Sequence, residues 1–268
     1  MRAAIGRVLK RLLPARYWTS IQSRRNRNLQ LRWLNQHGCI EVAKRFSECN
    51  GPQVLHGVFA GMKYPMDSIL SRHSVPMLVG SYERELYDIV AVALDTEYRR
   101  VIDVGSAEGY YAVGFALKGK SPVVAFETDG REAERCKAMS RINGVENRLE
   151  MRRWCSPEIL EELAEGAPCF VLSDCEGFEM ELFNERVIKA LAHSDILIEL
   201  HGEARDLLER RFAASHDVQI IPSSGRSAND YPELACLGPD AGRAVAEYRD
   251  QGQEWLYARA RATTPELA

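Results

Sequence analysis

Several common site signatures are missing from this 268-residue sequence. It contains no Gly-x-Gly-x-x-Gly, and the glycine loop Gly105-x-x-x-Gly109 lacks the Lys-Ser/Thr of a phosphate loop, so pyrophosphate binding there is disfavoured. Its seven cysteines, at 39, 49, 136, 155, 169, 175 and 236, are odd in number and scattered, without any Cys-x-x-Cys spacing, which fits a reducing compartment. No apolar run reaches the ~18 residues that span a bilayer, and the first residues lack the continuous apolar stretch of a secretion signal. These absences point to a soluble, cytoplasmic protein. Fixed-period repeats and low-complexity linkers are absent too.

Acidic residues are missing from positions 1–40, which hold nine Lys/Arg; with −3 for the whole chain, the remainder stands at −12. Ile5, Val8, Leu9, Leu12 and Leu13 recur at helical spacing with Arg2, Arg7, Lys10 and Arg11 between them, a basic amphipathic helix that ends near Pro14. Tyr17, Trp18, Arg24, Arg25 and Arg27 follow. Residues 1–32 are compatible with peripheral contact at an anionic inner-membrane surface. Packing on the body and an organelle transit peptide are the competing readings. A basic terminus on an acidic body does not suit nucleic acid, whose partners carry positive charge along the site itself.

The chain is organised around Val101-Ile102-Asp103-Val104-Gly105-Ser106-Ala107-Glu108-Gly109. Val101, Ile102 and Val104 suit a strand buried on both faces, and the glycines suit a close backbone approach before a helix from Tyr110 to Leu117. A second apolar run, Pro122 to Phe126, ends in Glu127, where such folds hold a ribose diol. Two strands ending in acids suggest a cationic, ribose-bearing cofactor. An ordinary β-α-β unit with a chance glycine loop is the alternative.

Further alternation implies a doubly wound, mostly parallel α/β sheet of seven strands. Helices are expected at Arg131–Ile142, Pro157–Glu165, Phe178–Leu191 and Ala204–Ala214. Strands are expected at Leu149–Arg152, Cys169–Ser173 and Asp195–Leu200, with Val218–Ile221 and Glu233–Leu237 closing as an antiparallel hairpin. Arg243 to Arg261 reads as a helix-like tail carrying Trp255 and Tyr257. Before the sheet, Val54 to Tyr64 reads as short cap strands broken by Gly57 and Gly61, and Ser81 as an N-cap with Glu83 and Glu85 in the first turn. The organisation is then a basic helical extension at 1–50, a β/α cap at 51–98 and a Rossmann-like domain at 99–268.

Ligands in such sheets lie beyond the carboxyl ends of the strands. Polar groups gather there at Asp103–Glu108, Glu127, Asp174-Cys175-Glu176-Gly177 and Glu199-Leu200-His201-Gly202. Asp174 and Glu176 equally suit helix capping, and an isolated histidine such as His201 equally suits a structural role.

Asp103-x-Gly105-x-x-x-Gly109 with Glu127 resembles the cofactor motifs of class I S-adenosylmethionine-dependent methyltransferases. Gly80-Ser81-Tyr82-Glu83, Asp174-x-Glu176-Gly177-x-Glu179 and Ile198-Glu199-Leu200-His201 resemble the FkbM type within that class, over residues 54–258. Cys175 departs from the usual apolar residue, with its side chain expected to point away from the site. The resemblance implies a class I Rossmann-like fold and methyl transfer from S-adenosyl-L-methionine to a hydroxyl of a sugar, glycan or glycolipid, or secondary metabolite. By position, Gly105, Ser106 and Gly109 would pass the methionine end, Glu127 would bind both ribose hydroxyls, and Asp103 and Glu108 would also belong to the cofactor site. Tyr82 and Glu83 would cover the cofactor, Arg153 and Trp154 would flank adenine, and Asp174 would adjoin it.

Displacement at a sulfonium methyl requires an aligned acceptor oxygen and a base for its proton. His201 is the first candidate, Asp174 the second, with Glu199 beside them. A divalent ion held by Asp174, Glu199 and His201 is a competing arrangement. A non-catalytic cofactor-binding scaffold is the alternative of a different class, and nicotinamide-dependent oxidoreduction is disfavoured by the missing glycines.

Overall fold

A computed structural model describes residues 32, 34, 36–69, 71, 73–246 and 252–261. The basic amphipathic segment expected over residues 1–32 lies almost wholly outside the described residues, and with it the membrane reading. No helix among the described residues is long and apolar enough to cross a membrane.

The chain enters through helices α1 (Cys39–Asn50), α2 (Ser74–Val79) and α3 (Tyr87–Asp95). Strand β1 (Val101–Val104) follows, fully buried because every side chain meets a helix layer on one face or the other. The β/α alternation then runs α4 (Tyr110–Lys118), β2 (Val123–Phe126), α5 (Gly130–Asn143), β3 (Leu149–Arg152), α6 (Pro157–Ala164) and β4 (Phe170–Ser173). After it come two short helices, α7 (Glu179–Leu182) and α8 (Glu185–Ala190), and then β5 (Asp195–Leu200), α9 (Ala204–Phe212), β6 (His216–Pro222), α10 (Ala241–Val245) and β7 (Glu254–Ala260).

The seven strands order as 3-2-1-4-5-7-6, with β1 to β5 parallel and β7 antiparallel to both β5 and β6. The order reverses between β1 and β4, the position at which open α/β sheets bind ligands. Two cores cover the faces. One joins Val42 and Phe46 of α1 and Leu78 of α2 to Phe115, Leu172, Leu197 and Trp255. The other packs Leu160, Leu182, Val187, Leu208 and Phe212 on Ile102, Val171, Ile196 and Ile198.

Five expectations are corrected. The closing strand is Glu254–Ala260, within the segment read as a helix-like tail. Residues Pro232–Asp240, which include the expected strand Glu233–Leu237, form 3-10 turns instead. An antiparallel closing hairpin is present, but the consecutive Trp255 and Leu256 of β7 are both buried, so its apolar run shows no strand alternation. Residues 54–64 are mainly turns, with one isolated bridge between Gln53 and Lys63, because Gly57 and Gly61 adopt left-handed backbone. The expected helix Phe178–Leu191 is broken at Phe183 and Asn184, whose side chain caps α8. Ser81 caps no helix: it is fully buried, the next turn is 3-10 and α3 starts only at Tyr87.

Glu85 takes part in neither capping nor the site. Its carboxylate meets Arg226 at 2.6 Å with both side chains nearly buried, and Arg226 also donates to the Ser81 carbonyl at 3.1 Å. This pair clamps the 81–85 turn to the loop after β6.

Candidate active site

The ladders of β1 continue past its end and bring the motif residues to one rim. The amides of Gly105 and Ser106 donate to the Phe126 carbonyl at 2.9 and 3.0 Å, and the Asp174 amide donates to the Val104 carbonyl at 2.8 Å. A Cβ on Gly105, whose φ is +92°, would run into the Asp174 carbonyl oxygen. On Gly109, φ +101°, it would lie 2.6 Å from Cys136 Sγ. The glycine spacing is therefore required by internal packing of β1 against β4 and of α4 against α5.

Two clefts meet at this rim, sharing Gly105, Ala107 and Asp174. The larger, of about 740 Å³, is lined by Phe126, Glu127, Arg153, Trp154, Cys155 and Phe178 among others. Glu127 is set by two backbone amides, Ala107 to Oε2 at 2.9 Å and Asp129 to Oε1 at 2.6 Å, while burial raises its pKa. Trp154, 52% exposed, packs against Phe178 with ring centroids 5.0 Å apart and planes tilted by 47°. Arg153 donates to the Thr128 carbonyl. Cys175, expected to point away, lines this cleft and accepts from Ser173 Oγ at 3.5 Å.

The smaller cleft, about 390 Å³, is lined by Tyr82, Glu83, Asp103, Ser106, Glu108 and Asp174, with Met77, Leu172 and Trp255 below. Glu83 is buried and accepts from the Tyr111 hydroxyl. Asp103 is 1% exposed and neither carboxylate oxygen has a hydrogen-bond partner of normal geometry. Burial, with Asp174 and Glu127 adding negative potential, pushes Asp103 up to about 8. Glu108, also buried, is pushed up to about 7. The three non-glycine residues with left-handed backbone among those described, Glu83, Ala107 and Glu176, all line these clefts, as strained residues held by a built site do.

Beside Asp174 stands His201. Its Nδ1 lies 2.7 Å from Glu179 Oε1, and its Nε2 lies 3.8 Å from Asp174 Oδ1 and 3.9 Å from Glu176 Oε2. Glu179 is buried; burial opposes its ionisation, but hydrogen bonds from His201 and the Gly177 amide prevail and lower its pKa. The Glu179 hydrogen bond in turn raises that of His201 against desolvation, with Asp174 adding to it. An ionised Glu179 fixes the proton of a neutral imidazole on Nδ1 and leaves the Nε2 lone pair toward Asp174. Ligand atoms of Asp174, Glu199 and His201 all lie within 4.8 Å of one another, and Glu199 is buried.

Of the residues named from sequence, Tyr82, Glu83, Asp103, Gly105, Ser106, Glu108 and Asp174 line the small cleft and Glu127, Arg153 and Trp154 the large one. Gly109 lines neither; it starts α4. Glu199 and His201 join Asp174 in one cluster. Three further residues belong to the candidate site: Phe178, Glu179 and Trp255. Glu179 belongs to the Asp174-x-Glu176-Gly177-x-Glu179 pattern, but spacing does not encode its partner His201. Trp255 comes from the strand misread as a helix.

The fold is a doubly wound, mostly parallel α/β sheet of seven strands in the order 3-2-1-4-5-7-6. No family model matches the chain, and no curated protein matches it. Solved structures overlap with it at low identity. Precorrin 8w decarboxylase of Methanobacterium thermoautotrophicum is 13% identical at a TM-score of 0.45, covering 68% of this chain and 91% of its own. The C-terminal domain of precorrin-6Y C5,15-methyltransferase from Rhodobacter capsulatus is 16% identical at 0.44, covering 65% and 87%. An rRNA methylase from Streptococcus thermophilus is 13% identical at 0.45, covering 68% and 99%.

Proposed function

We propose that the chain is an FkbM-type methyltransferase that transfers a methyl group from S-adenosyl-L-methionine to a hydroxyl of a sugar, glycan or glycolipid, or related metabolite. The observation that carries this is the pair of adjoining clefts at the β1 switch point, with buried Asp103 lacking hydrogen-bond partners in one and amide-set Glu127 in the other. Buried carboxyls without cationic partners suit a positively charged ligand. Glu127, with two oxygens already oriented, suits a vicinal diol. Trp154 and Phe178 suit a planar heterocycle.

The bound cofactor would supply an electrophilic sulfonium methyl. The chain's own residues hold, align and deprotonate. Glu127 would hold the ribose, the small cleft would hold the amino-acid end, and Tyr82 and Glu83 would exclude water from above. His201 Nε2 would take the acceptor proton as the new bond forms, while Glu179 holds the ring and stabilises the imidazolium. Alignment at the methyl supplies much of the acceleration, since in-line displacement needs the acceptor held collinear with the breaking bond.

The closeness of Asp174, Glu199 and His201 favours a second reading, a divalent ion that polarises the acceptor hydroxyl. Activity abolished by a chelator and restored by magnesium or manganese supports the ion; activity indifferent to chelation supports direct base catalysis. The main proposal is tested by methyl transfer from labelled S-adenosylmethionine to a panel of sugars and glycolipids. It expects a labelled product and a loss of roughly a hundredfold or more with His201→Ala. Cofactor binding with no product and no effect of His201→Ala would make the chain a binding scaffold.

A further inference from the structure

The small cleft is mostly acceptor-lined: Glu83, Asp103, Glu108 and Asp174 can only accept hydrogen bonds when ionised. At its β7 end stands the opposite chemistry. Trp255 is 1% exposed and lines the cleft, and its indole Nε1–H has no hydrogen-bond partner. Across the sheet, Trp255 pairs in register with Glu199 of β5, and its ring shares a core with Leu172 and Leu197. On the β1 side, Ser106 is 6% exposed and its hydroxyl also lacks a partner. An indole N–H only donates, and a buried donor left unpaired costs stability that a ligand oxygen would recover.

A ligand end complementary to this cleft carries both a cation and an oxygen anion. The carboxyls suit an ammonium; the idle donors suit a carboxylate. We propose that the Trp255 indole N–H, with the Ser106 hydroxyl, is the carboxylate-binding element of the small cleft and reads the ligand's α-amino-acid end. This rests on the reading of the two clefts as the S-adenosylmethionine site.

Calorimetry with S-adenosylhomocysteine and with its decarboxylated analogue, on the wild type and Trp255→Phe, tests it. The wild type is expected to bind S-adenosylhomocysteine roughly tenfold to a hundredfold more tightly than the analogue. Trp255→Phe should lose most of that preference while binding the analogue as the wild type does. A variant that keeps the wild-type preference overturns the assignment. The Trp255 indole proton of the wild type gives a reading that needs no variant: it should move downfield with S-adenosylhomocysteine and stay in place with the analogue. An unmoved proton in a saturated complex also overturns the assignment and leaves the donor-site reading intact. A wild type that binds neither ligand overturns both.

Discussion

His201 Nδ1 lies 2.7 Å from Glu179 Oε1, and that carboxylate is 1% exposed, so the imidazole is held by a buried acid rather than by solvent. The bond turns Nε2 toward Asp174 and raises the histidine pKa above its ordinary 6.5. A neutral imidazole is therefore populated only on the alkaline side of that value. In metal-free protein, NMR titration of His201 should give a midpoint above 6.5, and Glu179→Gln should bring it down. Under base catalysis the transfer rate should rise with pH through the same midpoint. An unchanged midpoint in Glu179→Gln contradicts the assignment. The pair's stabilising effect has its own window: the histidine share is lost as pH rises through the raised value, and the Glu179 share as pH falls through its lowered one.

Asp103 carries the opposite lesson. Its pKa is about 8 folded against 3.8 unfolded, so between these values the folded chain keeps a proton that the unfolded chain releases. Stability then falls as pH rises across that window. Asp103→Asn should raise the Tm of the ligand-free protein by several degrees at about pH 9 and hardly change it near pH 4. The same variant should weaken binding of the cationic cofactor. A pH-independent change in Tm would mean that Asp103 is not a buried acid of this kind.

The two glycines at strand ends should differ in tolerance. Gly105→Ala forces a Cβ into the Asp174 backbone at φ +92° and should destabilise by more than about 4 kcal/mol, or prevent folding. Gly177 has φ +99° but open space around the site of a Cβ, so Gly177→Ala should cost only about 1–2 kcal/mol, the left-handed backbone penalty alone. Urea unfolding of both variants measures the difference. Similar losses would mean that Gly105 is not needed for the β1–β4 junction.

The central sheet and most of the residues lining its clefts were legible because parallel strands announce themselves as unbroken apolar runs. Val101–Val104, Val123–Phe126 and Asp195–Leu200 each deliver polar groups at the same end. The exception is β7, where Trp255 to Ala258 form a similar run that pairs with β5 and β6 on both sides but is followed by no glycine loop. Its loss hid Trp255 from the site. Glu179 was visible as part of a motif, but the bond to His201 spans 22 residues and no spacing rule encodes it. The turn at Glu83 was read as a helix start because serine followed by acids has that signature. The Arg226–Glu85 clamp that holds this turn arrives from 141 residues downstream.

Binding of S-adenosylhomocysteine, measured by calorimetry on the wild type and on Glu127→Ala, tests the central claim most directly. The wild type should bind one equivalent, and Glu127→Ala, deprived of the carboxylate fixed by the Ala107 and Asp129 amides, should lose at least about tenfold in affinity. Absence of binding to the wild type, or equal affinity in the two proteins, would contradict it.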